Sequence, residues 1–175
     1  GHIGQRVGQL SSALGARLLY SDPIPIGARE GKALSIERMP LKQLLKTADI
    51  VSLQVPLTSS TRHMIGAEEL ALIKPDALPI STCRGPVIDE HPLCEALVNK
   101  QIAGAGLDVF ETEPCPMDSP LLALPNVLLT PFAGGITRDT WARQGAFVFS
   151  NIQRVCNGKP PHAKVGPTRT DLNRA

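Results

Sequence analysis

Apolar and polar positions follow two spacings along the chain, which predicts that helices and strands alternate. Apolar residues at helical spacing predict a helix over residues 5–14, and short apolar runs predict strands at residues 17–20 and 49–54. Pro and Gly at residues 24–32 predict a loop. Further helices are predicted at residues 40–46, 68–73, 89–98 and 137–155, and further strands at 34–38, 77–82, 103–109 and 126–130. This alternation indicates an α/β fold with a mainly parallel sheet covered on both faces.

The last predicted helix and the two chain ends stand apart from this pattern. The helix carries an apolar stripe that consists of Trp141, Val148, Ile152 and Val155. Gly158 is expected to end it. The composition then turns to Pro, Lys, Arg and Thr, so residues 167–175 are expected to form a disordered tail. The chain opens at Gly1, inside what resembles a motif and without a leader pattern, which suggests a piece of a longer protein.

Composition excludes several classes of function. The chain has 175 residues, of which 42% are hydrophobic and 19% charged, values typical of an ordinary globular protein. No apolar run approaches the roughly 18 residues of a membrane helix. A net charge of +2 and 3% aromatic residues do not favour a nucleic-acid surface. We therefore expect neither a membrane nor a nucleic acid as a partner.

Four cysteines bear on compartment and metal binding. They are Cys83, Cys94, Cys115 and Cys156. Their wide spacing, without a CxxC pair, matches neither the common zinc patterns nor a disulfide framework. We expect reduced thiols that serve as small buried side chains in a cytoplasmic protein, and no metal site.

A candidate dinucleotide-binding turn lies at the start of the chain. Residues 1–4 (GHIG) precede a predicted helix and match the last half of the GxGxxG pattern, whose glycines let the backbone approach a pyrophosphate. Asp22 follows Gly4 by 18 residues, close to the ~20-residue offset of the acid that binds the ribose hydroxyls. A carboxylate there would repel a 2′-phosphate and favour NAD over NADP. These features alone leave open that Asp22 is only a turn residue before Pro23.

Five further segments occur in order: SLQVPLTSSTRHMI, STCRGPVIDE, AGAGLDVFETEP, SPLLALPNVLLTP and FAGGITRDTWAR. Together they resemble the D-isomer-specific 2-hydroxyacid dehydrogenases, in particular glyoxylate and hydroxypyruvate reductase-like members, over residues 1–166. The resemblance implies a Rossmann-type, doubly wound NAD-binding domain at residues 1–142 and a return segment toward a substrate domain at 143–166. It also implies that the first strand, central in such a sheet, and the first glycine of the fingerprint are absent.

The resemblance further implies reduction of a 2-keto acid, such as glyoxylate or hydroxypyruvate, by NADH. Arg84 corresponds to the arginine that holds the substrate carboxylate and carbonyl, a task suited to a planar, permanently charged guanidinium. Glu113 corresponds to the glutamate that orients the catalytic histidine, whereas Glu111 is expected to be a surface charge. The histidine position itself is Phe132, which cannot donate a proton. General acid catalysis is worth roughly 10²–10⁴-fold, so its loss should cripple reduction.

Cofactor contacts are also implied by the resemblance. Asp108 corresponds to the residue that binds the nicotinamide carboxamide. The other implied contacts, several of them through the backbone, are Gly1, His2, Ile3, Gly4, Asp22, Val55, Pro56, Thr61, Thr82, Cys83, Arg84 and Gly134. His63, His91 and His162 are expected to be ordinary surface histidines. The family implies a homodimer, for which Phe147 and Phe149 are candidate contacts, with core packing as the favoured alternative.

Two departures from the family pattern leave alternatives open. Phe132 replaces the proton donor, and Pro79 lies inside a predicted strand, where its missing N–H should cost one ladder hydrogen bond. One interpretation is a weakened dehydrogenase, with a variant in which Glu113, in apolar surroundings, donates the proton itself. The others are a catalytically inactive NAD-binding module, acting as a sensor or scaffold, and a non-functional fragment.

Overall fold

The computed structural model describes residues 1–163, apart from the side chains of residues 28–30. The helices in this part are α1 (His2–Ala13), α2 (Ala28–Leu34), α3 (Leu41–Thr47), α4 (Ala67–Leu70), α5 (Glu90–Val98) and α6 (Arg138–Cys156). The strands are β1 (Leu19–Tyr20), β2 (Glu37–Arg38), β3 (Ile50–Leu53), β4 (Leu78–Ser81), β5 (Ala105–Leu107) and β6 (Val127–Leu129). The predicted α/β alternation is confirmed. The predicted tail at residues 167–175 lies outside the described residues.

The chain falls into two compact units. The first is Gly1–Pro131, which holds β1 to β6, and the second begins at Phe132 and holds α6. Within the first unit all strand pairs are parallel, but they form two sheets, β1-β2 and β3-β4-β5-β6. The common doubly wound order 3-2-1-4-5-6 places one strand between two such sets. Among residues 1–163 no strand occupies that place, in agreement with the predicted interruption.

The core of the first unit lies on one face of the four-stranded sheet. Val51 and Leu53 point to this face from β3, and Leu70 of α4 and Leu93 of α5 pack in the same cluster. The opposite face leaves apolar side chains exposed in the described chain, namely Ile50, Leu78 and Leu128. The prediction of a sheet covered on both faces is therefore wrong for the residues described here.

Local sequence signals set several helix ends. Asp89 Oδ1 accepts a hydrogen bond from the His91 backbone N–H at 3.3 Å, so Asp89 caps α5 as predicted. Gly158, with φ of 66°, ends α6 as predicted. The loop prediction over residues 24–32 is wrong at its end, because α2 begins at Ala28. The sequence AREGKAL contains mostly good helix formers, and they outweigh the preceding Pro and Gly residues.

Pro79 lies inside β4 without breaking it. The Leu78 N–H bonds to the Asp49 carbonyl on the β3 side at 2.9 Å, so the next nitrogen along the strand faces β5. The β4–β5 register begins one residue later, at Ile80 opposite Gly106. The missing N–H therefore falls at the end of that ladder and not within it. The Pro79 ring is fully buried and contributes to the core.

The helix α6 of the second unit exposes its apolar stripe. Its N-cap Thr137 accepts a hydrogen bond from the Thr140 N–H at 3.1 Å. No residue of α6 is buried, and Trp141 is 64% exposed. Apolar side chains near its end line a shallow groove with Asn151 and Cys156, namely Phe147, Val148, Ile152 and Val155. The preference for core packing of Phe147 and Phe149 is therefore wrong within the described chain.

The cysteines are all free thiols, as predicted. Cys83 is buried, Cys94 and Cys115 are half-buried, and Cys156 is exposed, so the prediction of buried side chains holds fully only for Cys83. Among the described residues, no group of three or more His, Cys, Asp and Glu side chains is placed to hold a metal ion. In the same part of the chain, no helix combines the length and apolarity that crossing a membrane requires.

Leu93 provides a test of this core. The Leu93 side chain is fully buried, so Leu93→Ala should lower the free energy of unfolding by about 2–5 kcal/mol, measured by urea denaturation. Leu14→Ala is the matched control, because Leu14 is 88% exposed and its loss should change stability by less than about 0.5 kcal/mol. Equal losses in the two variants would contradict the described core.

Candidate functional site

Most predicted site residues of the first unit follow the ends of parallel strands. Val55 and Pro56 come after β3, Thr82 and Arg84 after β4, and Asp108 directly after β5. We call the region that follows β3, β4, β5 and β6 the carboxyl edge. Ligands of open α/β sheets bind in the crevice outside this edge, at the point where the strand order reverses. The fold therefore brings together residues that are far apart in the sequence.

The start of α1 offers an anion site beside the carboxyl edge. Its N-cap, Gly1, makes no side-chain capping bond, and the first turn holds no acidic residue. The first N–H groups of a helix lack intrahelical partners and attract negative charge. A Cβ at Gly4 would lie 3.4 Å from Gln54 Cβ, just beyond β3, so the turn packs closely there. These features fit a pyrophosphate, with His2 and Ile3 in the exposed first turn.

Asp22 has an observed role in its turn. Its Oδ1 accepts a hydrogen bond from the Ile24 N–H at 2.8 Å. The Arg38 guanidinium donates to the carbonyls of Asp22 and Pro23 at 3.0 and 3.1 Å and so holds the same turn. Asp22 thus takes part in the turn before Ile24, which does not decide whether it also binds a ligand. Its position after β1 is also that of the predicted ribose contact, which stays a prediction.

The loop after β3 is shaped by hydroxyl groups. Thr61 Oγ1 donates to the Pro56 carbonyl at 2.6 Å and accepts from the Thr58 N–H at 2.8 Å. These bonds fold residues 56–61 into a tight turn beside Val55. Thr61, a predicted cofactor contact, therefore shapes the loop with its own hydroxyl. Thr82 lies within 3.5 Å of the Gln54 amide, which links this loop to the end of β4.

The segments that carry Arg84 and Glu113 meet at Phe110. A Cβ at Gly85 would lie 1.7 Å from the Phe110 carbonyl oxygen, so only glycine permits this approach. Arg84 Nη1 donates to the Cys83 carbonyl at 2.6 Å. On the other side, Glu113 Oε1 accepts from the Phe110 N–H at 3.1 Å. The predicted substrate-binding arginine and the predicted glutamate thus belong to two loops in direct contact.

Asp108 is a buried carboxylate held by a residue that sequence reasoning missed. Thr130 Oγ1 donates to Asp108 Oδ1 at 2.5 Å. The Asp108 N–H bonds to the Ser81 carbonyl at 2.9 Å, which fixes its backbone beside β4. Thr130 follows β6, so its place at the carboxyl edge was the available signal.

A hydrogen-bonded cluster links three loops at this edge. His63 Nε2 lies 2.6 Å from Glu111 Oε1, and His63 Nδ1 lies 3.9 Å from Asp89 Oδ2. Glu111 Oε2 accepts from the Glu90 N–H at 3.4 Å, and the Glu90 carboxylate accepts from the Glu111 N–H. Glu111 is half-buried, so the prediction that it is a surface charge is wrong. His63 is exposed, as predicted, but it makes contacts that the sequence did not indicate. These contacts span up to 48 residues, so no local pattern could announce them.

The cluster perturbs one carboxyl group. Burial raises the pKa of Glu90 above its ordinary value. The hydrogen bond from the Glu111 backbone opposes this shift, whereas the negative charges of Glu111 and Glu113 add to it. Of the other histidines, His91 and His162 are exposed, as predicted.

Phe132 opens the second unit in a backbone conformation that is unusual for its residue type. Its φ is 53°, in the left-handed region, and its side chain is 49% exposed. Among residues other than glycine, Asn, Asp and His are enriched in this region, whereas bulky residues are rare there. The backbone at position 132 therefore suits histidine better than phenylalanine. Gly134, a predicted cofactor contact, follows in the same exposed segment.

The chain is similar to known proteins over most of its length. The family described as D-isomer specific 2-hydroxyacid dehydrogenase, NAD binding domain, matches residues 1–134. A glyoxylate reductase of Korarchaeum cryptofilum is 45% identical over 161 residues, which cover 92% of this chain and 48% of that protein. Glyoxylate/hydroxypyruvate reductase B of Pectobacterium carotovorum is 41% identical over 172 residues, or 95% of this chain and 52% of that protein.

The fold is also similar to that of a solved structure. The D-lactate dehydrogenase of Lactobacillus jensenii, crystallised with NAD+, superposes with a TM-score of 0.87 at 32% identity. The match covers 95% of this chain and 53% of that one. The chain thus spans about half the length of the relatives it matches.

Gly85 tests the contact between the two loops. Gly85→Ala should lower the free energy of unfolding by on the order of 3 kcal/mol, because a Cβ would overlap the Phe110 carbonyl and force the backbone to shift. Gly145→Ala is the control, since a Cβ there, inside α6, meets nothing within 4 Å and should stabilise the helix by roughly 0.5–1 kcal/mol. Thermal unfolding of both variants measures the difference. Similar melting temperatures would refute the close approach.

Glu90 gives a pH-dependent prediction. Because its pKa is higher in the folded than in the unfolded chain, the folded state binds the proton more tightly, and stability falls as pH rises through the folded pKa. Glu90→Gln removes this loss and keeps an oxygen that can accept from the Glu111 N–H. The melting temperature of Glu90→Gln minus that of the parent should therefore increase as the pH rises above the ordinary pKa range of glutamate.

Glu95→Gln, on the exposed side of the same helix, is the control for this pH series. Its melting temperature should follow that of the parent. If the melting temperatures of Glu90→Gln and Glu95→Gln changed with pH in parallel, the Glu90 carboxyl would not be the cause of the loss of stability at higher pH.

Proposed function

This chain belongs to the D-isomer-specific 2-hydroxyacid dehydrogenase family, whose NAD-binding domain its residues 1–134 match, and on that premise we propose that it uses NADH to reduce a small 2-keto acid. Glyoxylate and hydroxypyruvate are the proposed substrates, because named relatives reduce them. The observation that carries the proposal is the contact between the Arg84 and Glu113 loops at Phe110, beside the buried Asp108.

The start of α1, the turn after β1 and the carboxyl edge each have a suitable group for one part of the cofactor. The uncapped start of α1 suits the pyrophosphate. Asp22, after β1, suits the ribose hydroxyls and disfavours a 2′-phosphate. Asp108 suits the nicotinamide carboxamide, because a carboxylate can accept hydrogen bonds from the carboxamide N–H groups. When bound, the cofactor supplies the hydride, and the residues of this chain hold and orient it.

Arg84 is the proposed substrate anchor. It lies in the loop after β4, and its backbone is fixed by the Gly85 approach to Phe110. A guanidinium fork can bind a keto-acid carboxylate through two parallel hydrogen bonds. Its charge also stabilises the negative charge that develops on the carbonyl oxygen. Glu113 retains the family carboxylate in the adjoining loop.

The position of the family's proton donor, a histidine, is occupied by a residue that cannot donate a proton. Phe132 occupies its position, so we propose that reduction is strongly impaired while NADH binding is retained. Glu113 is exposed, and its carboxylate accepts from the Phe110 N–H. This environment gives no support to the alternative in which Glu113, in apolar surroundings, donates the proton itself.

The second candidate function is a catalytically inactive NAD-binding module, which Phe132 favours. A cytoplasmic location and a homodimer also belong to the proposal. The exposed Phe147 and Phe149 on α6 are candidates for the dimer contact.

Restoring the histidine separates the two functions. Phe132→His in the full chain should raise the rate of NADH oxidation with glyoxylate or hydroxypyruvate by two or more orders of magnitude, because it returns a general acid. The decrease in NADH absorbance gives the rate. Leu14→His is the control, since it introduces a histidine at an 88% exposed position at the far end of α1 and should leave the rate unchanged. NADH binding without turnover in either protein would favour the inactive module.

A further inference from the structure

The Asp108 carboxylate is held from the neighbouring strand. Asp108 follows β5 and Thr130 follows β6, and the Thr130 hydroxyl donates to Asp108 Oδ1 at 2.5 Å. Both backbones are fixed in the sheet, since the Asp108 N–H bonds to the Ser81 carbonyl at 2.9 Å and the Thr130 N–H to the Leu107 carbonyl at 3.0 Å. Donor and acceptor therefore sit at the ends of two adjacent strands, β5 and β6, and the backbone of the acceptor is also bonded to β4.

Because Asp108 is buried, its carboxylate depends on hydrogen bonds such as this one for stabilisation. Asp108 is only 6% exposed. A buried carboxylate is costly unless hydrogen bonds stabilise it, and a hydroxyl that donates to an ionised oxygen makes one of the stronger hydrogen bonds in proteins. The side chain of Thr is also stiff at χ1, so its hydroxyl points in a defined direction. Loss of this donor would remove the hydrogen bond that ties the carboxylate to the end of β6.

We propose that Thr130 is a positioning residue that fixes the orientation of the Asp108 carboxylate, and thereby selects for the nicotinamide half of the dinucleotide. The inference rests on the proposed function, in which Asp108 receives the nicotinamide carboxamide. Thr130 contacts the carboxylate and not the cofactor. Its effect should therefore appear only with ligands that carry the nicotinamide ring.

Two ligands distinguish this role from a general effect on the fold. NADH and ADP-ribose share the adenosine, the pyrophosphate and the second ribose, but only NADH carries the nicotinamide. In Thr130→Val, which removes the hydroxyl and keeps a similar shape, the Kd of NADH should rise about tenfold. The Kd of ADP-ribose should stay within about twofold. Thr130→Ser, which keeps the hydroxyl, should restore most of the NADH affinity.

Thr47→Val is the matched control. Its hydroxyl donates to the Gln43 carbonyl on the exposed side of α3, away from the carboxyl edge, so neither Kd should change. A Thr130→Val protein that binds both ligands as the parent does would overturn the inference. So would equal weakening of both ligands, since that result indicates a role in the fold alone.

Asp108→Asn separates failure of this inference from failure of the proposed function. If Asp108→Asn weakens NADH but not ADP-ribose, and Thr130→Val does not, only the role of Thr130 is refuted. If Asp108→Asn leaves NADH binding unchanged, the assignment of Asp108 to the nicotinamide fails. Fluorescence titration of the full chain with NADH, and competition by ADP-ribose, give all of these constants.

Discussion

Gly85 leaves room for the Phe110 carbonyl oxygen, which would lie 1.7 Å from any Cβ at that position. This approach presses the loop after β4 against the loop after β5. Arg84 lies on one side of the contact, and Glu113 bonds to the Phe110 N–H on the other. A side chain at position 85 would separate the two charged groups that the proposed chemistry needs together. The site therefore depends on one backbone-to-backbone contact more than on any single side chain.

Hydrogen bonds between remote segments then hold the polar groups of the carboxyl edge. Thr130 orients Asp108 from the next strand, and the pair of His63 and Glu111 ties the loop after β3 to the loop after β5. The buried Asp108 and the half-buried Glu111 are tolerated because each carboxylate has a hydrogen-bond partner. The edge can thus present charged side chains in fixed directions to a ligand. This preorganisation is what binding a dinucleotide and a keto acid side by side requires.

The strands and the helix ends were predictable because their causes are local. The apolar run of β3 and the Asp89 cap of α5 carry their signals within a few residues. Apart from α2, where local helix formers outweigh the preceding Pro and Gly residues, the structure departs from prediction where distant contacts decide. Glu111 and Thr130 acquire partners that are distant in sequence. The exposure of the sheet face opposite the core was not predictable either. An apolar residue such as Leu128 gives the same sequence pattern whether or not a helix covers it.

The central claim is that the carboxyl edge of the first unit holds the dinucleotide. The most direct measurement is a titration of the ¹⁵N-labelled full chain with NADH, followed through its backbone amide resonances. The claim predicts concentration-dependent shifts at Gly4, at Cys83 and at Asp108, which lie at α1 and after β4 and β5. Shifts confined to the outer surfaces of α4 and α5, or no shifts at millimolar NADH, would contradict it.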